Sequence, residues 1–148
     1  MMKISLVHPD AVVPSRAHAD DVGYDLTLIS LAKTFDNGVQ LYDTGIRVEP
    51  PEGCYVEIVP RSSISKSAYM LANSVGVVDP GYRGNLFVAL RKMDPAAPDL
   101  ELPCKFAQLI VRRVETPPIH VVFDADEAAV TARGAGGFGS SDEPKVTR

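Results

Sequence analysis

Glycine and proline, 11 and 12 in number, interrupt this chain so often that no helix of ordinary length fits convincingly between them. The runs they leave alternate apolar and polar residues, and a period of two puts successive side chains on opposite faces of a strand. Ile4 and Leu6 alternate with Lys3 and Ser5, Val56 and Ile58 with Tyr55 and Glu57, and Leu86, Val88 and Leu90 with Asn85, Phe87, Ala89 and Arg91. Phe106 to Val114 is a longer candidate, apolar on both faces of its first half apart from Gln108, as expected of a strand covered on both sides. Residues 63–71 have room for two helical turns, and 126–132 hold good helix formers but meet Gly134 at once. Many short strands between turn signals predict an all-β sandwich or barrel.

At 148 residues, 45% of them hydrophobic, the chain can bury one proper core. A β domain is expected over 1–130, followed by a glycine-rich, flexible arm over 131–148. No apolar run reaches the roughly 18 residues of a membrane span, and MMKISLVHPD lacks the apolar heart of a signal peptide, so a soluble, intracellular protein with no membrane association is expected. A net charge of -4 argues against direct nucleic-acid binding, where a basic face supplies most of the affinity. Any anionic ligand must be held by a few local cations. Cys54 and Cys104 have no paired spacing and are expected as reduced, half-buried thiols, while His8, His18 and His120 belong to no motif.

Four segments carry groups suited to chemistry. In 73–84, Pro80 and Gly81 are expected at the centre of a type II turn between two strands, with Asp79 and Tyr82 on either side of the mouth. Asp79 then either caps its own turn or orients and deprotonates a water. In 19–26 three carboxylates surround Gly23, and Asp25, flanked by Tyr24 and Leu26, is the one the core would hold in place to serve a hard cation; Asp20 and Asp21 read as solvated. In 60–67, Arg61, Ser62, Ser63 and Lys66 offer a phosphate chain a guanidinium, hydroxyls and a possible helix start, the alternative being a plain N-cap. The segment 133–141 joins Arg133, four glycines, Phe138, Ser140 and Ser141 in a stretch with too little apolar area to fold alone. It reads as an arm that orders on a phosphorylated, flat-ringed ligand, or else as an ordinary flexible terminus. No Gly-Lys-Ser/Thr phosphate loop is present.

In this order, with 105–109 and its Ala107-Gln108-Leu109 added, these segments resemble the five motifs of the trimeric dUTP pyrophosphatases (dUTPases), across nearly the whole chain. The resemblance implies a homotrimer of jelly-roll-like β-barrels with sites between subunits, each closed by an arm. It implies hydrolysis of dUTP to dUMP and pyrophosphate, which limits uracil incorporation into DNA and supplies dUMP for dTMP synthesis. By the same resemblance, Asp79 activates the water that attacks the α-phosphorus and Tyr82 lies against the deoxyribose. Asn73 and the backbone through Val78 read the uracil edge, rejecting cytosine because a donor would face a donor. Asp25 supports Mg2+ through bound water; Arg61, Ser62, Ser63 and Gln108 contact the phosphates; Arg133, Ser140 and Ser141 hold the γ end; Phe138, beside Gly139, stacks on the base. Three positions depart from the family pattern: Ser63 and Pro103 stand where glycine is usual, and Asp142 sets a negative charge beside the arm, which is expected to weaken its closure. The competing expectations are a dCTP deaminase, which needs a glutamate near the base, and a binding protein on the same fold.

Overall fold

A computed structural model of the chain describes residues 1–123 and 130–137 and divides it into two compact units, Met1–Glu115 and Thr116–Arg148. The first unit holds ten strands: β1 (Lys3–Leu6), β2 (Tyr24–Leu28), β3 (Ser30–Thr34), β4 (Gln40–Asp43), β5 (Ile46–Glu49), β6 (Cys54–Pro60), β7 (Tyr69–Leu71), β8 (Gly76–Val78), β9 (Phe87–Lys92) and β10 (Cys104–Arg113). They form two four-stranded antiparallel sheets, ordered β2-β10-β6-β8 and β3-β4-β9-β7, and a small β1-β5 pair. This is the expected all-β, jelly-roll-like architecture. The two-residue period does the sorting. Leu26 and Leu28, Val56 and Ile58, Val88 and Leu90, and Ala107 and Leu109 point inward from their strands into one shared core. Each fully buried leucine contributes about 1.5–3 kcal/mol by leaving water. β10 lies between β2 and β6 and pairs with both, so its apolar first half is a central strand. β1 keeps only half of its alternation, since Ile4 packs on the core while Leu6 is exposed.

Three local expectations are corrected. Instead of two helical turns after Arg61 there is one 3₁₀ turn, Ser62–Lys66, followed by β7, because Tyr69 and Leu71 alternate into the core and pair with Lys92 and Leu90 of β9. The segment 73–84 is not a hairpin. β7 and β8 belong to different sheets, as do β8 and β9, so both turns in this stretch are corners between sheets. Gly81 is also not among the glycines with positive φ, so the Asp79–Tyr82 turn, closed by the Tyr82 N–H donating to the Asp79 carbonyl at 3.0 Å, is not type II.

The loop 94–103 is strapped down rather than free. Lys92 bridges to Asp99 at 2.7 Å, the buried Tyr69 hydroxyl donates to the Pro98 carbonyl at 3.3 Å, and Leu100 and Leu102 pack on the core. The thiols are free and half-buried, as expected, and burial pushes the Cys104 thiol upward. No helix among the described residues is long and apolar enough to cross a membrane.

Candidate active site

Two clefts gather the residues singled out from the sequence, and they share no lining residue. The first, of about 190 Å³, lies at the β8 edge of the β2-β10-β6-β8 sheet and is lined by Asn73, Val78, Asp79 and Tyr82 together with Ile58, Gly76, Val77, Asn85, Leu86 and Phe87. Asp79 does not cap its turn. The turn is closed by backbone, and the Asp79 carboxylate has no protein hydrogen-bond partner among the described residues. Asn73 lies over Gly76, where a Cβ would meet its Nδ2 in ordinary contact at 3.4 Å but would press on the Ile58 Cβ at 3.1 Å, so a side chain there would have to displace the cleft floor by a few tenths of an ångström. At the rim, Ser74 holds a φ of 60°, a left-handed conformation that costs a serine about 1 kcal/mol. Strain of that kind collects at sites where backbone must be presented to a ligand.

The second cleft, of about 280 Å³, lies on β2 and β10 beside the end of β6 and is lined by Asp25, Arg61, Ser62 and Gln108, with Ala17, Asp21, Val22, Gly23 and Ile110. Register explains the meeting: Gln108 on β10 stands opposite Asp25 on β2 and opposite Val59 on β6, and Arg61 leaves the end of β6 just beyond. Arg61 Nε pairs with Asp25 Oδ1 at 2.7 Å while its Nη1 donates to the Lys105 carbonyl at 3.1 Å; Lys105 Nζ stands 3.9 Å from the other carboxylate oxygen. A planar fork can hold a carboxylate on one edge and present another to phosphate. Ser62 and Ser63 are exposed and the 3₁₀ turn has no side-chain cap hydrogen bond, so the N-cap alternative falls and their hydroxyls stay available. A five-residue 3₁₀ turn supplies little of the helix-start field expected from the sequence. Arg61 and the hydroxyls must carry that work.

Gln108 is a strut. Its Nε2 donates to the Pro60 carbonyl at 3.0 Å, and its Oε1 lies so close to Gly23 that a Cβ there would sit 2.0 Å from it. Gly23→Ala is therefore expected to expel the amide, lowering the melting temperature by about 3–5 °C for roughly one lost hydrogen bond and raising KM. Thermal unfolding and steady-state kinetics check this, with Gln108→Ala adding little in the Gly23→Ala background. Sequence reasoning missed Asn85 and Ile58 in the first cleft and Asp21 and Ile110 in the second; pairing register brings in Ile58 and Ile110, while Asn85 and Asp21 lie in loops a few positions from Tyr82 and Asp25. Among the described residues no three His, Cys, Asp or Glu cluster as a metal cage. Arg133 is exposed, its Nε donating to the Gly136 carbonyl at 3.0 Å. Phe138, Gly139, Ser140, Ser141 and Asp142 lie outside the described residues.

The dUTPase family model matches residues 10–142. The chain belongs to the dUTPase family. Among this dUTPase's relatives is the deoxyuridine 5'-triphosphate nucleotidohydrolase of Rhodococcus erythropolis, 43% identical over 135 residues covering 90% of this chain and 80% of the relative. That of Mycobacterium tuberculosis is 39% identical over 144 residues, covering 95% and 94%. In fold it is similar to a Staphylococcus bacteriophage 80alpha dUTPase mutant solved with dUpNHpp, with a TM-score of 0.75 at 23% identity over 95% of this chain and 98% of that one. The dUTPase of phage phi11 of S. aureus, described with a structural Mg(II) ion, aligns with a TM-score of 0.69 at 22% identity over 85% of this chain and 99% of that one.

Proposed function

We propose that this dUTPase hydrolyses dUTP to dUMP and pyrophosphate at sites assembled between copies of the chain. The observation that carries the reading is the division of the chemistry between two clefts that share no lining residue, one at β8 and one on β2, β10 and the end of β6. Joining the Asp79 cleft of one copy to the Arg61 cleft of the next is a head-to-tail contact, which gives a ring when its rotation closes. The homotrimer of the family is the ring we assign here.

In that site Asp79 orients a water and takes its proton as the oxygen bonds to the α-phosphorus and pyrophosphate departs. Asn73 and the backbone through Val78 read the uracil edge, and Tyr82 lies against the sugar. Arg61, Ser62, Ser63 and Gln108 serve the phosphate chain, and Arg133, Ser140 and Ser141 its γ end, with Phe138 stacked on the base beside Gly139. The second cleft fits a magnesium ion carried in by the triphosphate. It offers the carboxylate of Asp25, with Asp21 also in its lining, and no cage of its own among the described residues, and Mg2+ is commonly held through its waters by one carboxylate and substrate phosphates. When bound, the ion neutralises charge on the phosphate oxygens. Among the described residues no glutamate lines the Asp79 cleft, which weighs against a deaminase.

The test is pyrophosphate release from dUTP, dCTP, dTTP and UTP in parallel, with Mg2+ and with EDTA. Release from dUTP alone, suppressed by EDTA, is expected. Ammonia from dCTP overturns the reading in favour of a deaminase, and silence throughout leaves a binding protein on this fold.

A further inference from the structure

The wall of the Asp79 cleft opposite β8 is the segment 82–87, and it is pinned from behind by the turn between β4 and β5. The Tyr82 hydroxyl donates to the Asn85 carbonyl at 2.9 Å, and the phenol end of the ring lies against Gly84, where a Cβ would collide with the phenol oxygen. The Asn85 side chain is held from two sides. Its Nδ2 donates to Asp43 Oδ2 at 3.2 Å, and its Oδ1 accepts from Arg47 Nε at 3.0 Å. Asp43 is itself fixed, because its Oδ1 accepts the Gly45 N–H at 2.7 Å in a turn where Gly45 has a φ of +66°. The next residue, Leu86, is locked as well, its carbonyl accepting the buried Thr44 hydroxyl at 2.7 Å and its N–H donating to Ile46 at 2.8 Å. The clamp thus holds Asn85 by its side chain and Leu86 by its backbone, on either side of the peptide whose carbonyl accepts the Tyr82 hydroxyl.

We propose that Asn85, gripped between Asp43 and Arg47, is a positioning residue that fixes the Tyr82 ring as a wall of the cleft and thereby sets the preference for a 2'-deoxyribose over a ribose. This rests on the assignment of the Asp79 cleft as the nucleoside pocket. A ring is selective against one added hydroxyl only if it cannot retreat. Tyr82 is 43% exposed, so its own packing does not hold it, and the clamp supplies the rigidity. Pockets that merely crowd a hydroxyl discriminate by modest factors, which a small retreat of the wall erases.

The experiment compares kcat/KM for dUTP and UTP, and calorimetric affinities for dUMP and UMP, in the full-length chain and in Asn85→Ala, Arg47→Ala, Tyr82→Phe and the Asn85→Ala/Tyr82→Phe pair. Asn85→Ala is expected to lower the dUTP/UTP selectivity by about tenfold, with the same trend in dUMP/UMP affinity. Tyr82→Phe should do likewise, and the pair should lose no more than either alone, since both act through one ring. Arg47→Ala removes one exposed arm of the clamp and should give a smaller loss in the same direction, which keeps the test open if Asn85→Ala does not fold. Parallel loss of dUTP and UTP turnover, or a lowered melting temperature with selectivity intact, makes Asn85 a purely structural residue and overturns the inference alone. A wild-type chain with no preference for the deoxy nucleotides removes the nucleoside-pocket reading and the inference with it.

Discussion

Asp79→Asn is expected to leave a folded protein that binds dUMP as the wild type does and to lower kcat by about 10³-fold, in the range that general-base catalysis contributes. The turn that carries Asp79 is closed by the Tyr82 N–H and the Asp79 carbonyl, so exchanging the carboxylate for an isosteric amide breaks no bond that the fold uses. The amide still fills the same space at the cleft rim but cannot accept the proton of the attacking water. The effect therefore falls on kcat and spares the melting temperature and dUMP affinity. Pyrophosphate release, thermal unfolding and calorimetry together check it. A kcat within tenfold of the wild type removes Asp79 as the base, and a kcat loss accompanied by an equal loss of dUMP affinity makes it a binding group.

What the sequence made legible follows the range of the interactions involved. The strands β6, β9 and β10 are readable because Val56 and Ile58, Val88 and Leu90, and Ala107 and Leu109 each declare their inward face locally. The motif residues Asn73, Val78, Asp79 and Tyr82 meet in one cleft because they lie within ten positions of one another around two corners, and Pro80 and Gly81 announce a turn there. Turn chemistry does not say which sheet the following strand joins. That is decided by β8 pairing with β6, and by β9 pairing with β4 and β7, so a hairpin was expected where the chain in fact changes sheets. The same limit hid the clamp. Asn85 reaches Arg47 across 38 positions and Asp43 across 42, and no spacing in the sequence joins them. Arg61 and Asp25 were each found by motif, but their 2.7 Å ion pair depends on β2 and β6 flanking β10.

Deleting 133–148 is expected to preserve the fold and lower kcat/KM for dUTP by about 10²- to 10⁴-fold. Among the described residues, every member of the core cluster and every residue packed against it lies within Met1–Glu115, so the truncation takes away none of that burial and the melting temperature should not move. What is lost is ligand contact. Stacking of a base on an aromatic such as Phe138 is worth about 1–3 kcal/mol, and a charge-assisted hydrogen bond such as Arg133 to phosphate about 1.5–3 kcal/mol. At about 1.36 kcal/mol per factor of ten, their sum gives the range stated. An arm that closes only on the complete substrate also predicts how the loss divides. Binding of dUMP, which lacks the β- and γ-phosphates and does not close the arm, should be unchanged, whereas turnover of dUTP should carry the whole loss. Full activity in the truncated chain makes the segment an ordinary tail. A loss confined to KM with kcat intact makes it a tether that holds substrate without contributing to the reaction, because a group that grips ground state and transition state equally changes only the concentration at which the site fills.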